Sequence, residues 1–393
     1  MTTDGPLTGV QVLDLSRVLA APYATMALGE LGADVIKVER RPDGDETRQW
    51  GPPFVQGEST YFLSTNRNKR SIALDLRKPE DQSRVRDLAL GWADVVVENF
   101  KPGTLGRFQL GLDDLRKAKP RLITASLRGY PVPDDNPGYD FVIQAGSGLM
   151  SITGPPDGEP YKVGVAVSDV TAGLFLLSGI VAALYRRERT GQGDHLEVSL
   201  WGAQLAGLAN VMQSYLSTGK APGRYGNAHA SLAPYQTVRT ADGWMALGVG
   251  NDHQFQALCQ VLGHPEWAED PRFRTNPDRV AHRTILIAQL EDVLTTRRTP
   301  WWVSRLEEAG VPAGPVRTIP QAVEYAKAQG HQVLVEVEHP AVGRYPAVRL
   351  PWTFHQSEAE ARSAPPQVDQ HRDEILALVA SIRRRRGEGV DRD

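Results

Sequence analysis

The feature that most constrains this chain is an alternation in its first third. "VQVLDL", "ADVIKVER", "SIALDL", "ADVVVENF" and "RLITASL" are short runs rich in Val, Ile and Leu, while "PYATMALGELG" and "PEDQSRVRDLALGW" between them carry a helical period. Apolar strands separated by helices imply parallel βαβ units in a doubly wound α/β sheet. Ligands of such sheets sit beyond the carboxyl ends of the strands. Those ends carry Ser16 and Arg17, Glu39 to Arg41, Glu98 to Phe100, and Arg128 to Tyr130. No G-x-G-x-x-G follows the first strand, which continues "LDLSRVLAAPYA", and no G-x-x-x-x-G-K-[ST] occurs. Nicotinamide and P-loop nucleotide chemistry therefore lose their main support.

A length of 393 residues calls for more than one domain. The expected division is a large Rossmann-like domain over 1–200, a linker over 201–225, a small α+β domain over 226–320, and a linker with a return to the large domain over 321–393. The small domain opens on "YQTVRTADGWMALGVGN", a hairpin whose turn is expected at Asp242-Gly243. Helical patterns follow around 252–263, 279–294 and 300–309. Strand-like "VLVEVEHP" and "YPAVRLPW" precede a last helix, "HRDEILALVASIRRRR", whose basic end reads as a solvated tail.

Composition excludes several classes. A net charge of −3 gives no sign of general nucleic-acid affinity. The single cysteine, Cys259, rules out an internal disulfide and cysteine-based zinc clusters, and fits a reducing, cytoplasmic setting. The histidines show no metal-binding spacing, so no metal is expected. No G-x-S-x-G elbow appears. The start "MTTDGPLTGVQVLDL" shows no signal-peptide core. The one membrane candidate, "VTAGLFLLSGIVAALY", is broken by Ser178 and Gly179 and is read as a buried core helix, not a membrane span.

That helix is preceded by "YKVGVAVSDV", which puts one carboxylate, Asp169, among small apolar residues. Asp before a helical run is a good N-cap, and local sequence favours that role. A carboxylate held ionised by helix N–H groups and the macrodipole is also a competent nucleophile. The small neighbours Gly164, Ala166, Ala172 and Gly173 would let a bulky substrate approach. Lys37, Arg40, Arg41, Arg48, Lys69, Arg70 and Arg107 lie near strand ends, where they could hold the phosphates of a large anionic cofactor, although each alone is an ordinary surface cation. Gly248 and Gly250 in "GVGNDHQF" make either a turn or a close-approach loop over a reacting carbonyl. His229 in "NAHASLAPY" reads as a hydrogen-bonding residue.

"GVQVLDLSRVLAAPYATMALGELGADVIKVERRPDGDETR", "NRNKRSIALDL", "ADVVVENFKPGTLGRFQLG", "VGVAVSDVTAG" and "GVGNDHQF" together resemble the family III CoA-transferases, the CaiB/BaiF family, over nearly the whole chain and in the family's order. Within it, "YGNAHASLAPYQTVRTADGWMALGVGNDHQF" and "RTNPDRVAHR" are most similar to members that carry CoA from succinyl-CoA to glutarate. The resemblance implies a Rossmann-like large domain built from both chain ends, a smaller domain, and an interlocked homodimer. It implies coenzyme A and acyl-CoA as substrates with no permanently bound cofactor. It makes Asp169 the catalytic residue, Gly248, Gly250 and Asn251 the active-site loop, and Arg40, Lys69, Arg70, Asn99 and Arg107 the CoA contacts.

The implied reaction is a ping-pong transfer through an aspartyl–acyl anhydride and an aspartyl–CoA thioester. The expected substrates are succinyl-CoA and a short dicarboxylate, with Arg17, His229 and Arg48 as candidates for the distal carboxylate. Leu19 stands where formyl-CoA transferase has an active-site glutamine, which counts against formate and oxalate. Tyr139 stands where the racemases of the family carry a histidine, and a phenol with a pKa of about 10 is a poor base. A racemase-like enzyme and a non-catalytic acyl-CoA-binding protein are the alternatives.

Overall fold

The protein, seen in a computed structural model, is described over residues 5–132 and 136–387. Its main sheet has six parallel strands in the spatial order Lys69–Leu74, Asp34–Arg40, Gln11–Asp14, Val95–Glu98, Ile123–Arg128 and His195–Ser199. Val12, Val95 and Val97 point to one face with the Ala20–Glu30 and Val167–Thr190 helices. Leu13, Ile36 and Val96 point to the other, against Val85 and Leu88 of the Pro79–Gly91 helix. Successive residues feed opposite faces, so strands covered on both sides read as unbroken apolar runs. The first and fourth strands lie side by side, and the order of the strands reverses there. This switch point leaves a crevice beyond their carboxyl ends.

The Val167–Thr190 helix packs closely on the Ala20–Glu30 helix. A Cβ added to Gly173 would stand 2.6 Å from the Ala20 carbonyl oxygen. Ala172 is fully buried in the same contact. The small residues after Asp169 therefore serve helix packing, not substrate access. The helix is also less buried than its sequence suggests. Ala172, Leu176, Ile180 and Leu184 face the core, but Leu174, Phe175, Val181 and Tyr185 are exposed.

The chain divides into two compact units. The first runs to Leu149, resumes over Val163–Lys220 and returns from Gln332; the second is Met150–Lys162 with Ala221–His331. Residues 201–218 are not linker: the helices Leu200–Gly207 and Ala209–Thr218 continue the first unit, and irregular chain begins only with the glycine- and proline-rich stretch after Gly219. Leu334–His339 and Gly343–Val348 pair with each other as a separate hairpin. The Arg372–Arg385 helix returns to the main sheet and buries Ile375, Val379 and Ile382. In the second unit, Gly243–Gly248 is the central strand between Tyr235–Thr240 and Ala313–Pro315. Its hairpin turn holds Ala241 and Asp242, since Gly243 already pairs with Thr240.

Several cations near the strand ends are internal. Lys69 Nζ lies 3.0 Å from Asp14 Oδ2, with both side chains fully buried. It also donates to the Pro22 carbonyl and to Asn66 Oδ1, each at 2.9 Å. Burial pushes the Lys69 ammonium down to about 8 against the opposing pull of Asp14. Lys37 Nζ is 2.9 Å from Asp45 Oδ2, again with both side chains buried. Arg48 makes a bidentate contact with Glu39 at 2.8 and 2.7 Å. Removing one partner of a buried pair leaves a lone charge in the core. Lys69→Met should therefore cost about 3–5 kcal/mol in unfolding free energy by urea denaturation. A loss below about 1 kcal/mol would mean that Asp14 is satisfied without it.

Candidate active site

Beyond the switch point, side chains from two strands and the loops that follow them hold the Ser16–Leu19 segment. Lys37 Nζ donates to the Ser16 carbonyl at 2.7 Å. Asn99 clamps Arg17 reciprocally: Oδ1 accepts the Arg17 N–H at 3.0 Å and Nδ2 donates to the Arg17 carbonyl at 2.8 Å. The Val18 N–H lies 3.3 Å from each carboxylate oxygen of Asp45. Val18 has φ +72°, the left-handed region. A β-branched residue there is strained by ~1–3 kcal/mol.

This segment borders a cavity of about 410 Å³ in which the structure gathers Arg17, Leu19, Asn99, Tyr139 and Asp169. A second cavity of about 470 Å³ shares Arg17, Glu46 and Phe100 with the first and carries Arg40, Arg41 and Arg77 on its rim. Arg40 and Arg41 are exposed and follow the Asp34–Arg40 strand at its carboxyl end. Arg40 pairs with Asp43 at 3.5 Å and Arg77 with Asp75 at 2.8 and 3.0 Å, and Glu39, Asp45 and Glu46 line the same cavity.

Asp169 is the third residue of its helix, and Ala166 occupies the N-cap position without a side-chain cap bond. The capping expected of Asp169 is performed by Asp140, whose Oδ1 accepts the N–H of Ser168 at 2.8 Å and of Asp169 at 3.4 Å. Burial, and then the Asp140 carboxylate, push Asp169 up to about 7. The helix terminus does not hold it firmly ionised, because desolvation and a like charge outweigh the dipole. Tyr61, edge-on to Trp50 at 5.0 Å, is pushed up to about 12 by burial and by Asp169, Asp140 and Asp45, and stays a donor.

Other expected residues lie elsewhere. Lys69 and Arg70 begin their strand and so sit at the amino edge of the sheet, opposite the crevice. Lys69 is spent on Asp14, and Arg70 on Asp34 and Glu374. Lys37 and Arg48 are likewise taken up by buried carboxylates. Arg107, exposed on the short Thr104–Arg107 helix, donates to Thr104 Oγ1 at 3.2 Å and borders neither cavity. Gly248, Gly250, Asn251 and His229 belong to the second unit. There Asn251 Oδ1 caps the Asp252–Leu262 helix through the Gln254 N–H at 2.9 Å, and the Gly250 N–H donates to Gln254 Oε1 at 2.8 Å. His229 Nδ1 accepts the Ser231 N–H at 3.1 Å, a local hydrogen-bonding role.

Sequence reasoning missed Asp140, Asp45, Tyr61 and Arg77. Asp140 adjoins Tyr139 and opens the Asp140–Gly146 helix, the one local signal for it. Asp45 sits in "DGDETR" as the cap of the Glu46–Gln49 turn, accepting the Thr47 N–H.

The raised Asp169 carboxyl has a consequence for stability. Its folded value near 7 lies above the ordinary 3.8. Its contribution is therefore present in full below about pH 4 and is lost as pH rises through about 7. Asp169→Asn should melt above wild type at about pH 8, with the difference shrinking toward about pH 5. Calorimetric melts across that range check the sign; a pH-independent difference would refute the raised carboxyl.

An acid made basic by burial, in a cavity joined to an arginine-rimmed one, is consistent with nucleophilic chemistry on an anionic carrier. Residues 7–372 match the family model described as CoA-transferase family III. The chain is 44% identical over 382 residues to the succinyl-CoA:glutarate CoA-transferase of Mus musculus, aligning 95% of this chain and 86% of that protein. It is 42% identical over 394 residues to the succinate–glutarate CoA-transferase of Agrobacterium fabrum, aligning 96% and 97%. A solved CaiB/BaiF family protein from Brucella suis has a TM-score of 0.85 at 40% identity, covering 96% of this chain and 100% of that one. Matched along almost its whole length in both sequence and fold, the chain belongs to CoA-transferase family III.

Proposed function

We propose that this CoA-transferase moves CoA from succinyl-CoA to glutarate or a similar short diacid, with Asp169 as nucleophile. The observation that carries the reading is the Asp169 carboxyl, raised to about 7 at the edge of a cavity continuous in its lining with an arginine-rimmed one. The choice of acids is supported by what the Mus musculus and Agrobacterium fabrum relatives are named for.

Asp169 Oδ attacks the thioester carbonyl carbon; a C–O bond forms, the C–S bond breaks, and CoA leaves as thiolate. The thiolate then attacks the aspartyl carbonyl of the anhydride, forming aspartyl–CoA and releasing succinate. The acceptor carboxylate runs the same two steps in reverse and regenerates the Asp169 carboxylate. No net proton is exchanged, so the cycle needs no acid–base relay. Arg40, Arg41 and Arg77 are assigned to the phosphates of CoA. The Arg17 guanidinium, half-exposed and paired with Glu46, is assigned to the distal carboxylate of the diacid. Tyr139 is exposed and offers no base for racemisation.

Asp169→Asn should lower transfer by at least about a thousandfold. Borohydride reduction after incubation with succinyl-CoA should change the mass of the wild-type peptide that contains Asp169. An unmodified peptide from active enzyme would exclude the covalent route, and an acyl-CoA-binding protein would show neither transfer nor adduct. In wild type, kcat/KM should be higher for glutarate than for butyrate, and Arg17→Ala should raise KM for glutarate about tenfold while sparing butyrate. Preference for butyrate would defeat the diacid assignment.

The homodimer belongs to the same reading. The exposed Leu174, Phe175, Val181 and Tyr185 form an apolar stripe on the helix that begins beside Asp169, and a second copy is proposed to cover it. Phe175→Asp with Leu174→Asp should shift the sedimenting species from dimer to monomer. An unchanged dimer would place the interface elsewhere.

A further inference from the structure

The Val18 backbone is in a conformation that its own side chain disfavours. A φ of +72° is costly for any residue with a Cβ, and most costly for a β-branched one. Such a conformation persists only where its surroundings impose it. Two side chains hold the peptide unit that leads into Val18: Asn99 Nδ2 donates to its Arg17 carbonyl at 2.8 Å, and both Asp45 carboxylate oxygens lie 3.3 Å from its Val18 N–H. Asp45 is itself fixed from every side. Lys37 Nζ holds it at 2.9 Å. The Thr47 N–H and Oγ1 donate to it at 3.0 and 2.8 Å. Its own N–H donates to Glu39 Oε2 at 2.9 Å. The carboxylate is therefore used up in holding the protein together and has little left to offer a ligand, although its residue borders the second cavity.

What the Val18 turn controls is close to the reacting group. The Ala20–Glu30 helix starts two residues later. The Ala20 carbonyl packs against Gly173, where a Cβ would come within 2.6 Å. Gly173 lies one turn after Asp169 on the same helix. Arg17, Val18, Leu19 and Ala20 all border the Asp169 cavity. Releasing Val18 to a relaxed conformation would swing this wall of the cavity relative to Asp169.

We propose that Asp45 is a positioning residue for the transfer reaction: by holding Val18 in the left-handed conformation it fixes the Arg17–Ala20 wall against Asp169. The proposal rests on the CoA-transferase reading above. It separates two jobs that a buried aspartate could have, compensating Lys37 and imposing a backbone conformation. Only the second depends on the residue type at position 18, because glycine adopts the left-handed region without strain.

The test is a double-mutant cycle in succinyl-CoA:glutarate transfer with Asp45→Asn, Val18→Gly and the pair. Asp45→Asn keeps the shape but weakens the tether. It should lower kcat about tenfold while KM for succinyl-CoA moves less than about threefold. Val18→Gly alone sets the reference activity for the background in which the turn carries no strain. In the Val18→Gly background, Asp45→Asn should cost less than about threefold. Equal cost in both backgrounds would reduce Asp45 to a partner of Lys37 and overturn the proposal. Asp45→Glu is the second probe. It keeps a charge for Lys37 but displaces the oxygens from the Val18 N–H, so it should lose kcat even where its melting temperature matches wild type; full activity would count against the tether. Amide hydrogen exchange of the peptide spanning residues 15–21 supplies a readout that needs no substrate. It should quicken in Asp45→Asn, and unchanged exchange would overturn the proposal. If wild type fails to make glutaryl-CoA, the substrate reading falls while the exchange measurement still decides the clamp.

Discussion

The Lys37 ammonium is the interaction on which the site depends. It is fully buried beneath the switch point, where its charge is costly by itself. Burial works to neutralise it, but Asp45, Asp14 and Glu39 reverse that and hold its pKa above the ordinary lysine range. A pair of this kind adds little net stability compared with apolar packing. What it supplies is geometry: one ammonium joins the Ser16 carbonyl at 2.7 Å to Asp45 at 2.9 Å. Through Asp45 it reaches Val18, and through Val18 the start of the helix that packs on Gly173. The neighbouring Lys69–Asp14 pair repeats the arrangement, and Asp14 in turn accepts from Ser16. The crevice of a doubly wound sheet is lined by loops, and loops have no ladder to fix them. Here buried charge does that work.

The same economy appears at Asp140. A helix whose first turn has no side-chain cap of its own leaves N–H groups in need of an acceptor. Asp140 provides one from a separate segment, accepting from Ser168 and Asp169. Its negative charge then sits beside the Asp169 carboxyl and raises it further. Capping and the further rise of the Asp169 carboxyl are thus two effects of one side chain. A neutral cap, such as Asn, would satisfy the helix about as well and forgo the second effect.

How much of this could be read from sequence differs by level. Five strands of the main sheet and most helices followed from periodicity, because strands buried on both faces leave no alternative to apolar runs. The place of Asp169 was legible as an acid at the head of a long apolar helix, though its position too far into the first turn to cap was not. The cations misled. Lys37, Arg48 and Lys69 have the composition and placement of phosphate ligands, yet each is neutralised by a carboxylate distant in sequence or on a neighbouring loop: Asp45, Glu39 and Asp14. Nothing local distinguishes a lysine that faces solvent from one that faces a buried aspartate; that is decided by strand order and register. The exposed stripe of the Val167–Thr190 helix escaped for a similar reason. A helix apolar all round reads as wholly buried, and only packing reveals that one face has no neighbour among the described residues.

Burial of Asp169 also bears on the proposed intermediates. In the proposed reaction Asp169 passes from a carboxylate to an anhydride, then to a thioester, and back. The carboxylate is the one charged form among these, and burial together with the Asp140 carboxylate disfavours it, raising the group from 3.8 to about 7. Every tenfold gain in proton affinity corresponds to about 1.4 kcal/mol, so the penalty is on the order of a few kcal/mol. Both covalent forms are neutral at this position and escape it. In the proposed reaction this raises the free carboxylate toward the covalent forms, which evens the spacing of energies along the cycle. The limit is set by the same quantity. A still more buried Asp169 would be protonated at neutral pH and its thioester too stable to yield to an incoming carboxylate, whereas a fully solvated one would face the anhydride barrier without this help. A carboxyl poised near 7, raised first by burial and further by a second acid that also caps the helix, lies between those two failures of the proposed reaction.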